Sequence, residues 1–153
     1  MQAQGPTLSA KPYAPPYAVS EARPIPTHPI PFAYLFWLLG FIGAHRFYLG
    51  KPITGTIWFL TGGLLLVGWI VDLFFIPSMC EEAQRRFRRG HTDYSVAWGL
   101  HAFLGVFGIH RFYMGKLLTG VLYLLTGGLF GIGYAYDWLT LNTQIDELNR
   151  GFR

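Results

Sequence analysis

The chain has 153 residues, 52% hydrophobic, 18% aromatic and only 13% charged, about half the charged share of a soluble domain. Its net charge of +4 falls short of the basic surface that nucleic-acid binding needs, and the single Cys80 excludes an internal disulfide or a cysteine-built metal site. No phosphate loop, paired carboxylates or nucleophile beside a base is visible, so the residues predict no enzymatic chemistry, no cofactor and no metal.

Residues 1–31 carry eight of the ten prolines. That density blocks helix and sheet and predicts a disordered, Pro-rich tail. A basic n-region running into an apolar h-region is missing, so no secretory signal is expected. The Pro12-Tyr-Ala-Pro15 spacing suits an aromatic groove, but a solvated spacer is the simpler reading.

Residues 32–77 predict a first membrane domain of two helices. A helix over 32–49 rises about 27 Å, just enough to cross a bilayer. Its end reads His45-Arg46-Phe47-Tyr48, then Gly50-Lys51-Pro52. Arg46 can snorkel to the headgroups, and Phe47 and Tyr48 suit the interface. Gly50 can end the helix in the left-handed region, Lys51 complements its dipole, and Pro52 opens the next helix. Anchoring explains His45 least. The second helix, from 52 to 71, runs twenty residues without a formal charge.

Thr61-Gly62-Gly63 interrupts that helix. Small residues there predict close helix packing or a kink. Asp72 lies 21 residues beyond Lys51, about 31 Å along a straight helix. It is therefore expected out of reach of Arg46, paired with linker arginines, Arg23 or a helix amino terminus.

Residues 78–94 predict a basic juxtamembrane linker helix. Ser78 and Glu81 form a capping-box pattern, Glu81–Arg85 and Glu82–Arg86 are i,i+4 pairs, and Gly90 can close the helix. Met79, Ala83 and Phe87 make a narrow apolar stripe. Arg85, Arg86, Arg88 and Arg89 would then face anionic lipid headgroups. A second membrane domain is expected over 95–141 and a C-terminal tail over 142–153. His101, midway along the third helix, is expected as a neutral histidine hydrogen-bonded within the bundle, with a proton or metal ligand as the alternative.

The domains are copies. A shift of 65 positions superposes 40–72 on 105–137 with 17 of 33 residues identical. His110, Arg111, Phe112, Tyr113 and Lys116 repeat the turn motif, Gly127 and Gly128 repeat the paired glycines, and Asp137 repeats Asp72. Two helices per copy make parallel repeats.

With its Gly-x-His-Arg-Phe-Tyr-x-Gly-Lys, Thr-Gly-Gly and following Asp, the chain resembles the TM-two domain family, over about 32–77 and 96–141. The resemblance implies pairs of membrane helices joined by a motif-bearing turn and no established enzyme chemistry. Two copies in one chain depart from the family's usual single-domain plan.

The expected fold is therefore all-α and integral to a membrane: four transmembrane helices as two hairpins behind a Pro-rich tail. Tail, linker and C-terminus carry eight Lys/Arg against four in the turns, which predicts both termini in the cytoplasm. Two functions fit. One is a non-enzymatic packing and interaction module whose partners are the bilayer, other membrane proteins or a second copy. The other is a small oligomeric transporter or channel using the His-Arg turns and intramembrane aspartates.

Overall fold

The computed structural model describes residues 25–151. The expected disordered tail lies outside the described residues as far as residue 24. Its last residues pack on the bundle: His28 is fully buried, its ring 4.7–5.3 Å from those of Tyr48, Phe87 and Tyr94.

The described residues form helices and turns, and the repeat is visible in their order. The first copy comprises α1 (Ile30–Trp37), a 3-10 turn (Gly40–Ile42), α2 (Ala44–Tyr48), α3 (Pro52–Leu65) and α4 (Val67–Arg86). The second comprises α5 (Tyr94–Leu104), a 3-10 turn (Gly105–Phe107), α6 (Ile109–Tyr113), α7 (Leu117–Phe130) and α8 (Ile132–Gly151).

These helices are shorter than the four expected spans. The first expected helix ends at Trp37 and passes through the 3-10 turn to Gly43, which turns left-handed with φ 75° and leads into the separate α2. Among the described residues no single helix is long and apolar enough to cross a membrane. The pair Leu117–Phe130 and Ile132–Gly151 passes on length and composition together but is bent by 116°.

Thr-Gly-Gly is the cause of the larger break. The Thr61 hydroxyl donates to the Ile57 carbonyl at 2.7 Å and accepts from the Leu64 amide at 3.1 Å. Gly62 and Gly63 then take φ of 60° and 68°, and the left-handed path continues through Leu64, Leu65 and Leu66. Thr126 makes the same two bonds, and left-handed backbone runs from Gly127 to Gly131. Glycine visits this region freely, whereas each leucine pays about 1–2 kcal/mol. The chain reverses, and α4 returns beside α3.

Two other expected boundaries shift. The linker helix is continuous with α4 through Pro77, and Ser78 bonds back to the Phe75 carbonyl instead of capping. As far as residue 151, the expected C-terminal tail is the second half of α8, with Asn142, Ile145, Asp146 and Asn149 buried. Asn142 joins the repeats: its Nδ2 donates to the carbonyls of Phe47 and Tyr48 at 3.0 and 2.8 Å, and Trp98 donates to its Oδ1 at 2.6 Å.

The reversal gives each repeat a polar end and an apolar end. Lys51 pairs with Glu82, and Arg86 donates to the Gly50 carbonyl at 3.1 Å, so the first turn lies beside the linker. In the second repeat Tyr113 accepts from the Asp93 amide at 3.0 Å, and Lys116 donates to Gln144 at 2.7 Å. The expectation of turns opposite the linker is therefore overturned. At the other end stand the 3-10 turns and the α3–α4 and α7–α8 reversals, where Leu65 and Phe130 are 85% and 87% exposed.

Candidate functional site

Each repeat buries a three-residue ionic cluster. In the first, the break at Gly43 aims α2 so that His45 and Arg46 face α4. The reversal at 62–66 brings Asp72 back to meet them. Nε2 of His45 donates to Asp72 Oδ2 at 2.8 Å, Arg46 Nε reaches the same oxygen at 2.7 Å, and Arg46 Nη2 reaches Oδ1 at 2.5 Å. Both His45 and Asp72 are buried. The expectation that Asp72 is out of reach of Arg46 fails because it assumed a straight helix.

The second cluster copies the first. His110 Nε2 lies 2.8 Å from Asp137 Oδ2, and Arg111 binds both oxygens at 3.1 and 2.7 Å. Gln144 adds a fourth bond to Oδ1 at 3.0 Å. An aromatic plate covers each guanidinium: Arg46 lies 3.6 Å from the Trp58 ring centre and Arg111 4.1 Å from that of Tyr123. Tyr123 also accepts from Arg111 at 2.8 Å. A planar, bidentate fork sandwiched by a ring is geometry only arginine supplies.

Chemically, each cluster is a closed latch. One carboxylate is shared by a guanidinium and an imidazole, and breaking a buried pair leaves a charge without compensation. A cleft of about 550 Å³ opens beside the first, lined by Arg46, Trp58, Asp72, Phe75 and Glu82 among others.

The remaining motif residues do other work than interface anchoring. Phe47 is buried against Trp138 at 5.6 Å, and Tyr48 is fully buried with its hydroxyl 3.1 Å from that of Ser95. The ring of Phe112 lies over Gly120. Lys51 leaves the dipole for Glu82, whose carboxyl that hydrogen bond holds below the usual range. Gly50 does end its helix, at φ 72°.

The paired glycines are only partly packing positions. A side chain at Gly63 would meet Trp69 at 3.0 Å, and one at Gly128 would touch Val106 at 3.4 Å. Around Gly62 and Gly127 there is open space, so their role is backbone conformation. Of the basic linker, Arg85 pairs with Glu81 at 3.7 Å and Arg89 donates to the Ile25 carbonyl at 2.7 Å. Arg86 holds the turn as described, the Arg88 amide donates to Asp146 at 3.0 Å, and all four side chains are exposed.

His101 was expected to be bonded in the bundle. It is buried, but neither ring nitrogen has a hydrogen-bond partner. A ring-to-ring distance of 4.6 Å places it beside His110. Sequence spacing could not pair these residues, because 101 and 110 do not share a straight helix face.

The family model of the TM2 domain matches residues 27–74 and 90–139, the two helical units. A TM2 domain-containing protein of Dictyostelium discoideum is 55% identical over 47 residues, covering 31% of this chain and 34% of that protein. A second from the same organism is 40% identical over 55 residues, 35% of this chain and 36% of its own. Human TM2 domain-containing protein 1 is 38% identical over 72 residues, covering 47% of this chain and 32% of the human protein. The chain thus spans about a third of the length of the curated relatives it matches. No solved structure matches.

Proposed function

Since the chain belongs to the TM2 domain family, with two copies of the domain, we propose that it is a non-enzymatic membrane protein whose repeats are latched packing modules. The carrying observation is the distribution of apolar surface. Ile53, Leu60, Phe74, Leu118, Leu125, Phe130 and Ile132 are all more than three-quarters exposed. Isolated soluble domains rarely leave such large side chains in contiguous water-facing patches. A bilayer removes that penalty.

The broken helices support a particular insertion. From Val67 to Ile76 the apolar part of α4 rises about 15 Å, half of a ~30 Å hydrocarbon core. Each repeat enters as a re-entrant wedge with its apolar reversal deepest and its turn, linker and termini on one face. Non-helical backbone at depth needs its polar groups satisfied: Thr61 accepts from the Leu64 amide and Thr126 from the Leu129 amide, and Gly63 and Gly128 are buried. The exposed linker arginines favour the cytoplasmic face and anionic headgroups. This reading takes the place of four straight crossings and keeps both termini cytoplasmic.

The packing role rests on the latches. Every ionisable group of the two clusters is engaged with a neighbour, which supports a structural use over a transport path. The exposed apolar flanks are available to other membrane proteins or to a second copy. Alkaline carbonate extraction of the full chain tests the insertion. Wild type should remain with the membrane, and a Leu65→Asp, Phe130→Asp double variant should shift to the soluble fraction. Wild type in the soluble fraction would overturn the reading.

A further inference from the structure

The second repeat departs from the first around His110. At positions 36, 37 and 69 the first copy has Phe, Trp and Trp; the second has His101, Ala102 and Tyr134. In the first copy Trp37 and Trp69 stack at 4.9 Å, and each indole donates to the other's carbonyl, at 2.9 and 2.7 Å. Phe36 stacks on Tyr48. In the second copy this brace is gone, and His101 fills the space, 4.6 Å from the ring of His110 and 4.7 Å from that of Tyr134.

Both buried ring nitrogens of His101 lack a hydrogen bond, whereas the unbonded Nδ1 of His110 has a counterpart in Nδ1 of His45 and does not set the second repeat apart. Buried polar atoms are nearly always satisfied, and an exception asks for a missing partner. An imidazole with both nitrogens idle gains nothing over the phenylalanine that serves in the first repeat, unless a ligand completes it.

We propose that His101, His110 and Asp137 hold one divalent cation of the zinc class. Each can bring a ligand atom to within 4.8 Å of the other two, and all three side chains are buried. Bonds of about 2.0–2.2 Å in a tetrahedron set ligand atoms roughly 3.4 Å apart. Closure therefore needs side-chain movement of about an ångström. Two imidazoles and one carboxylate are a donor set that suits zinc, with the fourth position left to water.

The neighbours allow it. Arg111 Nη2 and Gln144 hold Asp137 Oδ1, while Oδ2, which also accepts from Arg111 Nε at 3.1 Å, exchanges its bond to His110 Nε2 for one to the cation. His110 then coordinates through Nε2 as a neutral imidazole, its single proton moving to Nδ1. Arg111 and Gln144 are positioning residues that fix the carboxylate. A bound cation staples α5 to α6 and α8. The first repeat has no counterpart, because Phe36 offers no ligand atom.

The test uses the full chain, purified in mild detergent through a tag without histidines, stripped with chelator and titrated with Co²⁺ and then Zn²⁺. Wild type should bind about one Co²⁺ per chain with visible ligand-field bands, lose them to Zn²⁺, and show a higher Tm with metal. His101→Phe installs the side chain that the first repeat already accommodates. It should weaken binding by more than about 100-fold and abolish the metal-dependent rise in Tm. Should that variant elute unfolded, His101→Gln carries the same comparison. Folded wild type that binds neither metal, or a folded His101 variant that binds as wild type does, would overturn the proposal.

Discussion

Arg46 closes on both carboxylate oxygens of Asp72, at 2.7 and 2.5 Å, although 26 residues separate them. The contact exists only because the chain reverses between them at Gly62–Leu66. The motif and the aspartate are therefore one device, and Thr-Gly-Gly is the hinge that assembles it. Asp72→Asn keeps the shape and removes the charge, leaving the guanidinium uncompensated beside Trp58. About 3–5 kcal/mol should be lost, and Asp137→Asn should cost as much. Thermal unfolding in detergent measures both; a loss under about 1 kcal/mol would show the latch to be ornamental.

Lysine at Arg46 or Arg111 should fail nearly as badly as alanine. An ammonium cannot span both oxygens of the carboxylate while stacking on the ring. Near-normal stability of Arg46→Lys, against a damaged Arg46→Ala, would return the residue to simple interfacial anchoring.

Gly62 and Gly99 both have open space where a side chain would go, yet alanine should act oppositely at the two. Gly62 sits at φ 60°, so Gly62→Ala should destabilise by about 1–2 kcal/mol. Gly99 lies within α5 in ordinary helical backbone, and Gly99→Ala should stabilise by about 0.5–1 kcal/mol. Melting temperatures of the two variants, with equal signs, would contradict the left-handed reversal.

Leu66 occupies the position that Gly131 holds in the second copy, at φ 68° against 83°. Leu66→Gly should relieve about 1 kcal/mol of strain, and Gly131→Leu should add as much. Detergent stability again decides it. Equal tolerance would mean that these positions are not held left-handed.

The repeat, the all-helical class, the glycine stop at Gly50 and the proline start at Pro52 were legible because they are local or self-similar. The pairing of His45 and Arg46 with Asp72 was hidden by one assumption, that a twenty-residue apolar run is one straight helix. Thr61, Gly62 and Gly63 carried the correction, since a hydroxyl able to bridge both sides of a glycine pair marks a reversal as well as a packing site. Asn142 was hidden in a segment that composition marks as a tail. Its role depends on carbonyls 94 and 95 residues away, which no local pattern encodes. His101 was singled out, but its approach to His110 required the break at Gly108.

The central claim is that both turns lie on the same face as the linker. Replacing Cys80 by Ala and placing single cysteines at Lys51, Lys116 and Arg85 allows each to be labelled by a membrane-impermeant maleimide in intact cells and in inverted vesicles. The re-entrant fold predicts that all three react from the same side. Reaction of Lys51→Cys and Lys116→Cys from the side opposite Arg85→Cys would contradict it and restore four crossing helices.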